Sequence, residues 1–357
     1  MTTLLPLPRL RNLGSASAEP TKRDQLVLAD AFGRVATDLR VSLTDRCNLR
    51  CAYCMPPEGL DWLPGADVLT DEEIVRLITI GVERLGITTV RLTGGEPLLR
   101  KNLELLVADI AALSPTPEIA LTSNGIGLAA RAEKLAAAGL KRINISLDTL
   151  DPDTFAQLSR RRRLPDVLAG VAAARQAGLQ PVKINTVLLR GINDHEAFDL
   201  LQWAMAEQVQ LRFIEQMPLD PQHGWKRDEM ITADEIRQRL GQHVELVEDP
   251  EDALARGSAP AELFRVAGTS YRVGIIASVS KPFCGSCDRV RLTADGQIRN
   301  CLFARTESDL RTPLRTGASE EEIAARWVAA VAGKQPGHGI NDPSFLQPDR
   351  PMSAIGG

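Results

Sequence analysis

Thr44-Asp-Arg-Cys-Asn-Leu-Arg-Cys-Ala-Tyr-Cys54 is the stretch on which the reading of this chain turns. Its spacing, Cys47-x3-Cys51-x2-Cys54, places three thiols on one short loop directly after a strand-like segment, Asp38–Leu43. A second set, Cys284-x2-Cys287-x13-Cys301, uses the remaining cysteines of the chain. Each set is one thiolate short of the four that close a structural zinc or an ordinary iron–sulfur site. Three soft ligands leave one coordination position for something other than protein, and an open position is where chemistry happens. The alternative is zinc completed by a distant His or Asp; the chain has four histidines, none near the first loop.

Outward from that loop, the sequence alternates strand-like and helix-like segments from residue 35 to about residue 217. Strands are expected at Asp38–Leu43, Thr89–Thr93, Glu118–Ser123, Arg142–Leu147, Pro181–Leu189 and Gln210–Gln216. Helical periodicity falls at Asp71–Leu85, Leu128–Ala138, Pro165–Ala177 and Asp194–Gln208. Thr70 and Glu73 form a capping-box pattern, and Gly86, Gly139 and Gly178 stand where helix ends favour glycine. Successive βα units imply a parallel sheet, and the cysteine loop then lies at the C-terminal edge of its strands, where such folds keep their active sites.

Within the strands one face is apolar (Val41, Val90, Leu92, Ile143, Ile145, Val182, Ile184). The other carries Arg40, Ser42, Arg91, Thr93, Asn144, Ser146, Lys183 and Asn185. Crossover helices cover the apolar face. A closed eight-unit barrel fills its lumen with branched apolar residues, so a polar lumen implies a partly open barrel around a charged ligand. The alternative is an open sheet with one wet face. Beyond Met217 the pattern changes to a loop, a helix at Ala233–Leu240, an acidic Pro-containing stretch at Glu248–Pro260 and strands at Leu263–Ala267 and Tyr271–Ala277. A helix near Glu320–Ala332 and a Gly/Pro-rich tail ending in Gly356-Gly357 complete the chain.

The chain has 357 residues, 42 basic and 46 acidic, for a formal net charge of −4. Bulk charge therefore gives no reason to expect nucleic acid. No apolar run approaches the roughly 20 residues that span a bilayer. Pro6, Pro8, Arg9, Arg11 and Gly14 break any signal-peptide core, although a weak organelle transit peptide is an alternative to a disordered tail. A reducing, cytoplasmic setting follows for the cysteines, where metal binding is favoured over disulfides.

The first cysteine loop, with Thr93-Gly-Gly-Glu-Pro97 after the second strand, resembles the signature of radical S-adenosylmethionine (radical SAM) enzymes. The resemblance implies a [4Fe–4S] cluster whose open iron chelates S-adenosylmethionine and cleaves it to methionine and a 5′-deoxyadenosyl radical. The second set, in Phe283-Cys-Gly-Ser-Cys-Asp-Arg-Val-Arg-Leu292 with Cys301, is similar to the GTP 3′,8-cyclases of molybdenum cofactor biosynthesis. That similarity runs from about Asp38 to the C-terminus. It implies a second [4Fe–4S] cluster that holds GTP, abstraction of the C3′ hydrogen, and attack on C8 of guanine to give 3′,8-cyclo-7,8-dihydro-GTP.

On this resemblance the fold is α/β: a partial (β/α)6 barrel over residues 35–245, an auxiliary-cluster region over 246–357, and a disordered tail over 1–34. It assigns Cys47, Cys51 and Cys54 to one cluster and Cys284, Cys287 and Cys301 to the other. Tyr53, Gly95, Ser146 and Met217 go to S-adenosylmethionine. Arg40, Arg91, Thr122, Lys183, Arg289, Arg291 and the Val290 backbone go to GTP, with Arg289, Arg291, Gly356 and Gly357 in catalysis. Each has a plainer reading: ion pairing for Arg40 or Lys183, backbone capping for Thr122 or Ser146, core packing for Met217, a frayed end for the glycines.

The implied partners are GTP, an electron donor for cluster reduction and, as candidates, cyclic pyranopterin monophosphate synthase and a second copy of the chain; no nucleic acid or membrane is implied. The run Arg160–Arg163 reads as a solvated patch, and the segment before the first strand has no assigned role. Ser123 stands where the family often has a second Thr. A peptide-modifying radical enzyme and a non-catalytic nucleotide or iron sensor are the competing readings; the first usually carries more C-terminal cysteines than three.

Overall fold

Six parallel strands follow one another in both sequence and space: β1 (Asp38–Ser42), β2 (Thr89–Thr93), β3 (Glu118–Ser123), β4 (Arg142–Ser146), β5 (Val182–Val187) and β6 (Gln210–Ile214). The structure is a computed structural model that describes residues 26–248 and 254–356. Outside the described residues lie most of the expected N-terminal tail, part of the expected acidic stretch, and Gly357.

The remaining strands are β7 (Leu246–Glu248), β8 (Glu262–Val266), β9 (Arg272–Ile276), β10 (Arg289–Leu292), β11 (Gln297–Arg299) and β12 (Ser308–Asp309). They extend the same sheet at both ends, in the order β12-β11-β10-β1-β2-β3-β4-β5-β6-β9-β8-β7. β10 joins β1, and β9 joins β6, both in parallel; the outermost pairs on each side are antiparallel. Among the described residues the sheet does not close on itself. The second cysteine turn directly precedes β10, so the sheet carries it to the edge of β1, the strand before the first cysteine loop.

Helices cover one face because the crossovers leave them no other place. Helix Asp71–Leu85 begins with a reciprocal capping box: the Thr70 hydroxyl accepts from the Glu73 N–H, and the Glu73 carboxylate accepts from the Thr70 N–H. Gly86, at φ 77°, ends it in the left-handed conformation. Leu103–Ala111 and Pro152–Ser159 are further helices in the crossovers. The segments expected at 128–138 and 194–208 each open with a 3-10 turn, Leu128–Ala130 and Asp194–Glu196, before the α-helix.

Val41, Val90, Leu92, Ile143, Ile145 and Ile184 are fully buried beneath these helices. At about 1.5–3 kcal/mol per fully buried large aliphatic side chain, this face holds the sheet and leaves the other free for polar side chains.

The segment 28–36, of which residues 28–34 are grouped with the N-terminal tail on sequence, packs as a small hairpin. Leu28 and Ala36 enter the core, Ala29 and Val35 form a β-bridge, and the Ala36 N–H donates to the Leu28 carbonyl at 2.8 Å.

Candidate active site

The register turns the sequence alternation into a surface. Arg40 stands opposite Arg91 on one side and Arg291 on the other. Asn144 faces Lys183, and Asn185 faces Arg212. Arg212 joins them from β6, where the same period-two signal continues one strand beyond the polar residues named from the sequence. Gly274 on β9 leaves room for it: a Cβ there would lie 3.0 Å from Arg212 Cγ.

These cations are poorly partnered. Arg40 Nε, Arg91 Nε and Nη1, and Arg212 Nε are buried without a hydrogen-bond partner among the described residues. Asp38, the ion-pair partner of Arg91, stands 3.9 Å away. Arg142 differs, since Glu118 neutralises it. Burial, followed by repulsion from neighbouring cations, brings Lys183 down to about 7 and Arg91 down to about 9, and lowers Arg212 to about 10. Orphaned buried donors on a cationic surface match an anion with many acceptor oxygens.

Beside this surface a cavity is lined by Cys47, Cys51 and Cys54 together with Tyr53, Gly95, Thr122 and Ser146, which sequence had assigned to the site. Gly95 is required by backbone packing. Its N–H donates to the Thr44 carbonyl at 2.7 Å, and a Cβ would lie 2.3 Å from the Arg46 carbonyl oxygen. The Gly-rich segment thus locks onto the cysteine loop itself.

Glu96 secures the arrangement by accepting from the Leu98 and Asn124 N–H groups and the Ser123 hydroxyl. Burial raises its carboxyl to about 7 despite those bonds. The Ser123 hydroxyl supplies one of those bonds and accepts from the Gly125 N–H, so serine suffices at this position. Asp148, also on the cavity wall, accepts from the Tyr53 hydroxyl at 2.7 Å; burial lifts its carboxyl to about 6.

Arg160 corrects the reading of 160–163 as a solvated patch. Its guanidinium donates to the Arg50 carbonyl at 2.8 Å and the Met55 carbonyl at 2.9 Å, pinning the cysteine loop. Arg161, Arg162 and Arg163 are exposed.

Met217 does not line the cysteine cavity. It packs on a small apolar cluster with Leu219, Met230 and Ile355, beside Cys301 and Met352. Val290 points its side chain into the main core. Arg289 is held by the Ser258 carbonyl, Asp288 and the face of Phe283. Arg291 is buried and donates to the Gly356 carbonyl. The tail therefore lies in the site, with Met352 and Ser353 on the cavity wall.

The thiols fit iron–sulfur ligation. Burial pushes the Cys54 thiol up to about 12 and also raises Cys47 and Cys51, so thiolates there require positive charge from a bound metal centre. Among the described residues no three Cys, His, Asp or Glu side chains converge as a single-ion site would need. Thiolates that each take a different iron of a cluster have no such requirement. In the second set, burial alone would raise Cys287, but Arg289 and Lys334 together hold it below its ordinary value.

Known proteins agree with this geometry. Residues 41–204 match the Radical SAM superfamily, and residues 209–340 match Molybdenum Cofactor Synthesis C. The chain is 62% identical over 331 residues to the GTP 3′,8-cyclase of Streptomyces coelicolor, covering 93% of this chain and 96% of that one. It is 60% identical over 350 residues to the GTP 3′,8-cyclase of Mycolicibacterium smegmatis, covering 96% and 95%. Among solved structures, Streptococcus suis SuiB has a TM-score of 0.57 at 14% identity, covering 86% of this chain and 68% of that one. Native anSMEcpe with bound AdoMet has a TM-score of 0.54 at 14% identity, covering 85% and 82%. At that identity the likeness shows the fold. With one cysteine loop following β1, a second cysteine turn leading into β10 beside it, and relatives 62% and 60% identical over nearly its whole length, the chain belongs to the GTP 3′,8-cyclase family of radical SAM enzymes.

Proposed function

We propose that this chain converts GTP to 3′,8-cyclo-7,8-dihydro-GTP, the first step of molybdenum cofactor biosynthesis, using S-adenosylmethionine and two [4Fe–4S] clusters. The observation that carries the reading is the polar face itself. Arg40, Arg91, Lys183 and Arg212 present orphaned or weakly paired cationic groups beside a cavity holding three cysteines. A nucleoside triphosphate supplies the missing acceptors, and guanidinium groups are its natural partners.

When bound, the first cluster and its cosubstrate supply a 5′-deoxyadenosyl radical. This chain's residues position and shield. Cys47, Cys51 and Cys54 would hold the first cluster, and Cys284, Cys287 and Cys301 the second. Tyr53, Gly95 and Ser146 would seat S-adenosylmethionine, with Asp148 orienting the Tyr53 hydroxyl. Arg40, Arg91, Lys183 and Arg212 would take the triphosphate, and Thr122, Arg289, Arg291 and the Val290 backbone the rest of the nucleotide. Met217 would act from its apolar cluster, by packing the wall near Cys301. The tail ending in Gly356 and Gly357 would keep water out and fix Arg291.

The same proposal includes an external electron donor, handover to cyclic pyranopterin monophosphate synthase, a homodimer and a cytoplasmic setting that keeps six thiols reduced. Among the described residues no helix is long and apolar enough to cross a membrane. The test uses anaerobically reconstituted, reduced protein with S-adenosylmethionine, with and without GTP. GTP-dependent 5′-deoxyadenosine with a cyclised nucleotide is expected. Cleavage indifferent to GTP, with no new nucleotide, would assign the radical chemistry to another substrate.

A further inference from the structure

The segment 28–36 has no counterpart in the chemistry above, yet it delivers a buried guanidinium to the second cysteine turn. Asp30 closes the hairpin, accepting from the Phe32 N–H at 2.8 Å and the Arg34 N–H at 3.1 Å. Its other oxygen accepts from Arg34 Nε at 2.5 Å, and both side chains are almost fully buried. The far edge of the guanidinium then spans two segments remote in sequence. Nη1 donates to the Cys284 carbonyl at 2.8 Å and the Pro336 carbonyl at 3.0 Å, and Nη2 to the Gln335 carbonyl at 2.6 Å.

Lys334, just past helix Glu320–Ala332, performs the same task on the other cysteine. Its buried ammonium donates to the Cys287 carbonyl at 3.1 Å, the Cys287 Sγ at 3.3 Å and the Arg289 carbonyl at 3.0 Å. The strand of chain between these contacts runs against the turn: a Cβ on Gly337 would lie 4.0 Å from Cys284 Sγ.

Carbonyl oxygens at both ends of the Cys284-x2-Cys287 turn are therefore held by buried cations. A planar guanidinium can hold several carbonyls in fixed directions, which a lysine in its place would not reproduce. Positive charge and hydrogen bonds at a thiolate ligand stabilise the more negative, reduced form of an iron–sulfur centre, and groups that orient ligands are as consequential as the ligands.

We propose that Arg34 and Lys334 are positioning residues for the second cluster: Arg34 fixes the ligand turn, and Lys334 raises the reduction potential through Cys287. The inference rests on the assignment of Cys284, Cys287 and Cys301 to that cluster.

The experiment uses the full chain, reconstituted anaerobically, with iron counted per chain and the electron paramagnetic resonance signal of the second cluster followed against poised potential. Arg34→Lys and Arg34→Gln are expected to drop from about eight irons to about four, with the electron paramagnetic resonance signal of the first cluster retained. Lys334→Met, of similar length, is expected to keep about eight irons and to lower the reduced-to-oxidised ratio of the second cluster about tenfold at a given potential, or about 59 mV for one electron. Eight irons in both Arg34 variants, with an unmoved potential in Lys334→Met, would overturn the proposal. Four irons in the unsubstituted chain would instead defeat the ligand assignment, and the clamp with it.

Discussion

The Gly356 carbonyl accepts a hydrogen bond from the buried Arg291 guanidinium, three residues after Ser353 lines the same cavity as Cys54. One short piece of tail thus meets the cavity of the first cysteine loop and the arginine of β10. Arg350 anchors it from behind with a two-pronged pair to Asp295, at 2.9 and 2.7 Å. Gly356 sits at φ 75°, and a Cβ there would lie 2.9 Å from Thr93 Cγ2. A chain ending at Ile355 should lose cyclisation by about 100-fold, the scale on which misplaced groups act, while still cleaving S-adenosylmethionine. Full cyclisation by the truncated chain would remove the tail from the mechanism.

The first cysteine loop and the arginine beside the second cysteine turn should separate by activity. Cys51→Ser is expected to abolish 5′-deoxyadenosine formation, since Cys51 lines the cavity proposed for the cosubstrate. Arg289→Ala should instead weaken GTP use, by about tenfold or more for a charge-assisted contact. Assaying both variants for 5′-deoxyadenosine and for GTP affinity decides it; equal cleavage by the two would overturn these roles.

Gly95→Ala tests the lock between the Gly-rich segment and the cysteine loop. The added Cβ meets the backbone carbonyls of Asp45 and Arg46 at 2.5 and 2.3 Å, where no flexible side chain can yield. A loss of more than about 2 kcal/mol is expected from denaturant unfolding, with reduced iron in the first cluster. Wild-type stability and iron content in this variant would show that the loop can shift without cost.

GTP binding should depend on pH through Lys183. Burial first, and then Arg212 and other nearby cations, hold its ammonium down to about 7 in the GTP-free chain. A bound triphosphate favours the charged form, so binding takes up a proton. Affinity from this group is full below about pH 7 and is lost as pH rises through that value. Between pH 6 and pH 8 the loss should be about tenfold, and Lys183→Arg should flatten the profile. Calorimetry in buffers of different ionisation enthalpy reads the proton directly; zero uptake at pH 8 would exclude Lys183 as the cause.

Much of this was legible locally. A strand shows its two faces with period two, so Arg40, Arg91 and Lys183 could be placed together before any tertiary contact was known. Helix ends announce themselves in the same way, as Thr70 and Glu73 did. Reading failed where the partner lies far along the chain. Arg160 looked solvated because its acceptors, Arg50 and Met55, are 110 and 105 residues away. Packing alone shows Met217 on the apolar cluster of Leu219 and Ile355, which spacing within β6 does not reveal.

The sequence by itself determined the ligand chemistry, the βα order and the polarity of the inner face, because each depends on spacing within one element or loop. Only the tertiary structure decided that Arg34 reaches the Cys284 turn across 250 residues, that Arg212 joins the cationic face, and that the tail returns to Arg291. Those contacts exist because an open sheet, extended at both edges by strands from the C-terminal half, brings remote segments together along its strands. Hydrogen-bond donors buried there find acceptors set by register and packing, which local periodicity does not encode.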